Sequence, residues 1–248
     1  MWPYPKVLAH RGAGKLAPEN TLAALRCGLA LGFHAVEFDV MLSKDSVPVL
    51  MHDPEFGRTV AGSGLVAGTN AADLQKMDAG SWFDARFGGE PVPSYEQVIR
   101  FCREQQIWMN TEIKPSPGHE EATGCIVAAL SAACFADVVS SDPARLPLLS
   151  SFSMTALRAA KRAAPQIPRA LLLDGPHPDW KSMLQELSAV ALHVNHKHLS
   201  KEWAAQVKNA GYGLFCYTVN EPERAHELLR WGVDAFCTDY PDRIPADF

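Results

Sequence analysis

A chain of 248 residues, 47% of them apolar, is long enough for one large globular domain, and α/β barrels commonly reach this size as a single unit. A formal net charge of −5 argues against a nucleic-acid partner, which would select for a basic face. No apolar run approaches the roughly 18 residues of a bilayer span, so no stable membrane insertion is expected. The first residues, Met1-Trp2-Pro3-Tyr4-Pro5-Lys6, also lack the charged-then-apolar pattern of a secretory leader. The six cysteines (Cys27, Cys102, Cys125, Cys134, Cys216 and Cys237) include no CxxC pair, and most lie in apolar contexts where a free thiol behaves as a small hydrophobe. These features predict a reduced, cytoplasmic protein and leave self-association open.

Residues 6–10 form a short apolar run ending in His10-Arg11-Gly12. After a polar loop, residues 20–31 place Leu22, Leu25 and Leu29 at helical spacing and stop at Gly32, with Asn20 or Thr21 suited to the N-cap. Further apolar runs at 35–41, 47–51, 107–113, 146–152, 169–173, 190–194, 214–219 and 235–238 read as strands. Helical patterns at 94–105, 120–133, 154–164, 180–187, 201–210 and 221–231 separate most of them. Near-continuous apolar strands alternating with helices predict a parallel sheet covered by helices.

Those nine runs exceed a (β/α)8 barrel by one strand. The link from Met41 to Val47 is only Leu42-Ser43-Lys44-Asp45-Ser46, far too short for a helical crossover. The pair is therefore predicted to be an antiparallel hairpin turning at Lys44-Asp45-Ser46, which brings His52 beside Asp39. Removing the return strand leaves eight. Residues 54–93 break the rhythm: they are rich in Gly and Asp, and forty residues without a clear period are usually a functional loop or small subdomain. The expected architecture is a TIM-type (β/α)8 barrel, one domain over residues 1–248, with 54–93 inserted over its mouth.

The polar clusters sit at strand ends, where a barrel gathers its working groups. Glu37 and Asp39 alternate on one strand and so point to the same side; two close carboxylates repel unless a cation lies between them. Glu112 repeats the pattern on another strand and would complete an all-oxygen set suited to one divalent cation, Mg²⁺ or Ca²⁺. Lys114 offers a point charge to a phosphate oxygen, and Arg11 a planar fork. Gly12 would let the backbone approach a ligand closely. His10 and His52 are the natural acid and base near neutral pH. Glu19, in Pro18-Glu19-Asn20-Thr21, exceeds what a helix cap needs. His193, His196 and His198 have poor ligand spacing and are expected at the surface or rim; His34, His119, His177 and His226 look incidental.

Taken together, His10-Arg11-Gly12, Pro18-Glu19-Asn20-Thr21, Glu37-x-Asp39, the run from Val47 to Asp53, and Glu112-Ile113-Lys114 resemble the glycerophosphodiester phosphodiesterase family, in its bacterial cytoplasmic form. Ser150-Ser151-Phe152, Tyr217-Thr218-Val219-Asn220, Gly232-Val233-Asp234 and Thr238-Asp239-Tyr240-Pro241 extend the resemblance in order over nearly the whole chain. It implies a barrel with an inserted cap, and metal-dependent hydrolysis of glycerophosphodiesters to an alcohol and glycerol 3-phosphate. Glu37, Asp39 and Glu112 would be metal ligands, His10 and His52 the acid–base pair, and Arg11 and Lys114 the phosphate contacts, with Glu19 and Tyr217 also facing substrate. Tyr217 stands where the family often has Trp, and Ala235 where it often has Gly.

Rival readings use the same groups differently. A phospholipase D-like hydrolase of lysophospholipids or sphingomyelin shares the histidines and carboxylates but works on membranes outside the cell. A metal-dependent sugar isomerase would not need Arg directly after the first-strand His. A barrel that only binds phosphorylated ligands would be expected to lack one of the histidines or carboxylates.

Overall fold

The computed structural model describes residues 2–139 and 141–248. Nine strands run β1 (Val7–His10), β2 (Ala35–Leu42), β3 (Pro48–Leu50), β4 (Trp108–Ile113), β5 (Leu148–Ser151), β6 (Arg169–Leu173), β7 (Ala191–Asn195), β8 (Gly213–Tyr217) and β9 (Ala235–Thr238). Their order in the sheet is β1-β9-β8-β7-β6-β5-β4-β2-β3, and a further β1–β2 pairing closes eight parallel strands into a TIM barrel. Strand β3 stands outside the ring, antiparallel to β2, with Val40 opposite Leu50 and Leu42 opposite Pro48. It finds a free edge because β2 outruns β1: the β1 ladder ends at His10–Glu37, while β2 continues to Leu42. The expected hairpin is therefore present, its turn closed by Ser46 at φ 63° and by the Ser43 and Val47 backbone groups.

The helices are α1 (Leu22–Ala30), the short α2 (Ala71–Leu74), α3 (Tyr95–Glu104), α4 (Glu120–Cys134), α5 (Met154–Ala163), α6 (Trp180–Leu187), α7 (Lys201–Asn209) and α8 (Pro222–Arg230). Their starts follow capping chemistry. Thr21 accepts the Ala24 N–H at the head of α1, Ser94 and Gln97 form a reciprocal capping box at α3, and Pro222 occupies the first turn of α8.

Alternation along the strands divides the apolar residues into two sets. Val7, Ala9, Val36, Phe38 and Val40 face outward into the layer shared with the helices. Leu8, Ala35, Trp108, Leu148, Ala170, Ala191, Phe215 and Ala235 fill the barrel interior, and Trp2 and Tyr4 pack against this set. Tyr4 stacks on Trp108 with centroids 4.3 Å apart, and Trp2 occupies the space that a side chain at Gly213 would need. One end of the barrel is thus sealed by apolar packing, and polar groups collect at the other.

Residues 54–93 contain α2 and three-residue 3₁₀ turns at Val66–Gly68 and Ala85–Phe87. They have a small core of their own, in which Val60, Val66, Leu74 and Val92 pack with Met41, Val49 and Met51 of the hairpin. Glu90 ties the segment to α1, accepting the Ala23 N–H at 2.8 Å.

Arg169 opens β6 and is 3% exposed. Among the described residues it has no carboxylate partner. Its guanidinium instead donates to the carbonyls of Ile167 (2.6 Å), Leu187 (3.2 Å), Ala164 and Pro165 (both 3.3 Å). Two of these carbonyls terminate α5 and α6, where helix dipoles favour a cation. Arg169→Met should therefore lower unfolding free energy by on the order of 3 kcal/mol in urea titration, since each orphaned buried carbonyl costs about 1–3 kcal/mol. Arg169→Lys should recover part of that loss. A loss under about 0.5 kcal/mol for the Met variant would contradict this role.

Candidate active site

Each expected ionisable group arrives from the strand end or loop that its position implies. Asp39 is in register with Glu112 on neighbouring strands, and Glu37 with Asn110. Ligand atoms of Glu37, Asp39 and Glu112 all lie within 4.8 Å of one another, and this triad could hold a metal ion. All three carboxylates are largely removed from water. Burial pushes Glu37 up to about 7 and Glu112 up to about 8. Burial acts on Asp39 in the same direction, but the charges of Arg11, Lys114 and His52 and the Asn20 hydrogen bond together hold Asp39 below its ordinary value. Lys114 lies 3.2 Å from Glu112 and 3.5 Å from Asp39, and Arg11 Nε lies 3.4 Å from Asp39. Three carboxylates thus face the two cations Arg11 and Lys114, and Glu37 and Glu112 remain raised.

Each of the two histidines is held through Nδ1 by an aspartate. His10 Nδ1 and Asp239 Oδ1 are 2.6 Å apart, and Asp239 is anchored in turn by Asn220 through its other oxygen and its backbone N–H. His52 Nδ1 and Asp53 Oδ1 are likewise 2.6 Å apart. Both aspartates are held at about 2 and so remain ionised. Both rings accordingly carry their neutral-form proton on Nδ1, leaving Nε2 for other work. They titrate in opposite directions. Burial opposes the charge on His10, yet the Asp239 hydrogen bond and the Glu37 charge raise it; burial lowers His52 despite Asp39. His10 and His52 line one cavity of about 240 Å³ together with Arg11, Glu37, Glu112 and Lys114. A larger depression of about 620 Å³ at the sealed end contains Trp2, Tyr4 and the Lys208–Asp234 ion pair, with no comparable cluster of ionisable groups.

The β1–α1 loop carries unusual backbone. Arg11 (φ 50°), Gly12 (φ 101°) and Asn20 (φ 59°) are left-handed, and Asn20 N–H returns to the Arg11 carbonyl at 3.0 Å. Gly12 is needed for packing against the helix: a Cβ there would lie 2.8 Å from the Ala24 Cβ. Thr21, not Asn20, caps α1. The Asn20 amide instead donates to Asp39 Oδ2 at 2.9 Å and accepts the Asp39 N–H at 3.1 Å. Glu19 binds two guanidinium groups, those of Arg11 and Arg58. The Tyr217 hydroxyl donates to the Leu173 carbonyl at 3.0 Å, so its ring rather than its hydroxyl faces the cavity, edge-on to the exposed Phe152.

One expectation is corrected. His193 is not at the rim: it is fully buried inside the barrel, 4.4 Å from the Phe215 ring, and burial pushes it down to about 3. The cause is register, because residue 193 occupies an inward position of β7 alongside Ala191. His198 is exposed as expected, and His196 is half-buried. Asp53, Asp239, Asn220 and Arg58 were given no role by sequence reasoning. Asp53 and Asp239 had a signal in the motifs that contain them, and Arg58 had none.

The sequence profile of the glycerophosphoryl diester phosphodiesterase family matches residues 10–243. A glycerophosphodiester phosphodiesterase of Caldanaerobacter subterraneus is 32% identical, covering 96% of this chain and 95% of that protein. One from Bacillus subtilis is 30% identical over 95% of this chain and 83% of its own length. An Oleispira antarctica phosphodiesterase, solved in complex with the product sn-glycerol-3-phosphate, superposes with a TM-score of 0.87 at 34% identity, covering 97% of this chain and 95% of that one. With the strand-end carboxylates and the aspartate-held histidines all falling within the matched span, the chain belongs to the glycerophosphoryl diester phosphodiesterase family.

Proposed function

We propose that the protein is a single (β/α)8 barrel domain, capped by residues 54–93, that hydrolyses water-soluble glycerophosphodiesters to an alcohol and glycerol 3-phosphate. The observation that carries this is one cavity lined by two aspartate-held histidines, two members of a buried carboxylate triad, and an Arg and a Lys. Three carboxylates with only Arg11 and Lys114 to balance them fit one divalent cation, Mg²⁺ or Ca²⁺, held by Glu37, Asp39 and Glu112. Such an ion would polarise a phosphoryl oxygen and stabilise charge there.

The chain's own residues supply the rest. Arg11 and Lys114 bind non-bridging phosphate oxygens, with Glu19 acting through the Arg11 guanidinium that it holds. Hydrolysis must remove a proton from the attacking oxygen and return one to the leaving alcohol. His10 and His52 do this through Nε2, their Nδ1 atoms being committed to Asp239 and Asp53. The Tyr217 ring forms an apolar wall for the substrate beside Phe152. No specific observation favours the phospholipase D-like alternative.

A coupled assay for glycerol 3-phosphate release from glycerophosphocholine and glycerophosphoethanolamine tests this directly. Activity should vanish with chelator and return with Mg²⁺ or Ca²⁺. His10→Ala and His52→Ala should each lower kcat by about 10²–10⁴-fold with a smaller change in KM, and the double variant should lose far less than the product. Full activity in excess chelator, or a single variant within about threefold of wild type, would contradict the proposal.

The raised carboxyls add a pH signature. A group whose folded value is raised contributes stability below its unfolded value that is lost as pH rises through the folded one. For Glu37 and Glu112 that loss runs from the ordinary 4.5 up through about 7 and about 8. His193 and His196, lowered by burial to about 3 and about 4, shift stability the other way up to the ordinary histidine value of 6.5. Chelated protein should therefore lose Tm between about pH 6.5 and 8, and the gap between cation-saturated and chelated Tm should widen over that window. A gap independent of pH would contradict a cation on these carboxylates.

A further inference from the structure

Arg58 lies in the segment between β3 and α3, outside any helix or strand, five residues after Asp53. Its Nε donates to Asp53 Oδ2 at 2.6 Å. Its Nη1 and Nη2 donate to Glu19 Oε2 and Oε1 at 2.7 and 2.8 Å. Asp53 holds His52 with its other oxygen, and Glu19 Oε1 also accepts from Arg11 Nη1 at 2.8 Å. A chain of alternating charge thus runs His52–Asp53–Arg58–Glu19–Arg11 and ends at Asp39.

We propose that Arg58 is a positioning residue of the active site, holding Asp53 against His52 and Glu19 against Arg11 at the same time, so that this one side chain ties the segment after β3 to the reacting groups. That role presupposes His52 and Arg11 as groups that act on the diester, as proposed above. One N–H on each of the three Arg58 guanidinium nitrogens is already committed to a carboxylate. The need for it follows from a comparison of the two histidines. Asp239 follows directly on barrel strand β9 and is fixed by Asn220. Asp53 follows the outlying strand β3, is about a quarter exposed, and among the described residues has only Arg58 on its second oxygen. A partly exposed carboxylate–imidazole pair holds weakly against water and side-chain entropy. A guanidinium fork bridging two carboxylates supplies the missing anchor, and a lysine point charge cannot reproduce its geometry.

The test combines kinetics with the state of the ring. Arg58→Gln and Asp53→Asn should each lower kcat/KM for glycerol 3-phosphate release by about 10- to 100-fold, and the double variant should lose little more than the worse single one. Arg58→Lys should recover part of the loss. Arg86→Gln, which removes an exposed pair with Asp84 in the same segment, should leave activity unchanged. In two-bond ¹⁵N–¹H spectra of imidazole-labelled protein, wild-type His52 should show one tautomer, protonated at Nδ1, and the Arg58→Gln and Arg58→Lys variants a mixture. Losses that multiply in the double variant, or a His52 tautomer unchanged in both Arg58 variants, would overturn the proposal. Wild-type protein that released no glycerol 3-phosphate would instead sink the hydrolase reading, and the ring spectra would still judge Arg58 separately.

Discussion

Three carboxylates brought within 4.8 Å of one another in a volume largely closed to water repel strongly, and the groups around them are arranged against that repulsion. Arg11 and Lys114 lean on Asp39, the most fully charged of the three. Asn20 holds both the Asp39 side chain and its backbone. Glu37 receives the Arg11 backbone N–H and lies 3.6 Å from His10 Nε2. Even so, burial leaves Glu37 and Glu112 raised toward neutrality.

Maintaining that cluster constrains the fold. Neighbouring parallel strands β2 and β4 must stay in register so that Asp39 faces Glu112, and the other end of the barrel is closed by Trp2, Tyr4 and Trp108. The β1–α1 loop takes left-handed conformations at Arg11 and Asn20, neither of them glycine. Strain of this kind persists where surrounding contacts impose it, and here the contacts are those to the triad. The same economy governs the histidines, each committed at Nδ1 to a carboxylate that is itself secured by a further side chain.

Much of this was legible in the sequence because it is local. The apolar strand runs, the helical spacings and the five-residue hairpin link are decided within short windows, and the buried apolar runs expose any charge that interrupts them. Glu37, Asp39, Glu112, His10 and His52 stand out for that reason. What escaped is set by long-range register. Asp239 meets His10 only because β9 closes against β1, 229 residues away in sequence. Arg58 sits in a stretch with no period from which its direction could be read. His193 falls in the apolar run at 190–194, yet its clustering with His196 and His198 suggested the rim; only strand pairing shows that β7 is still inside the barrel at that residue.

The central claim, one cation shared by the three carboxylates, is tested most directly by anomalous scattering from crystals grown with Mn²⁺ near neutral pH. A single strong peak should lie in contact with carboxylate oxygens of Glu37, Asp39 and Glu112, at about 2.0–2.6 Å. An ordered triad with no peak between its members, or a peak bound elsewhere in the barrel, would contradict it.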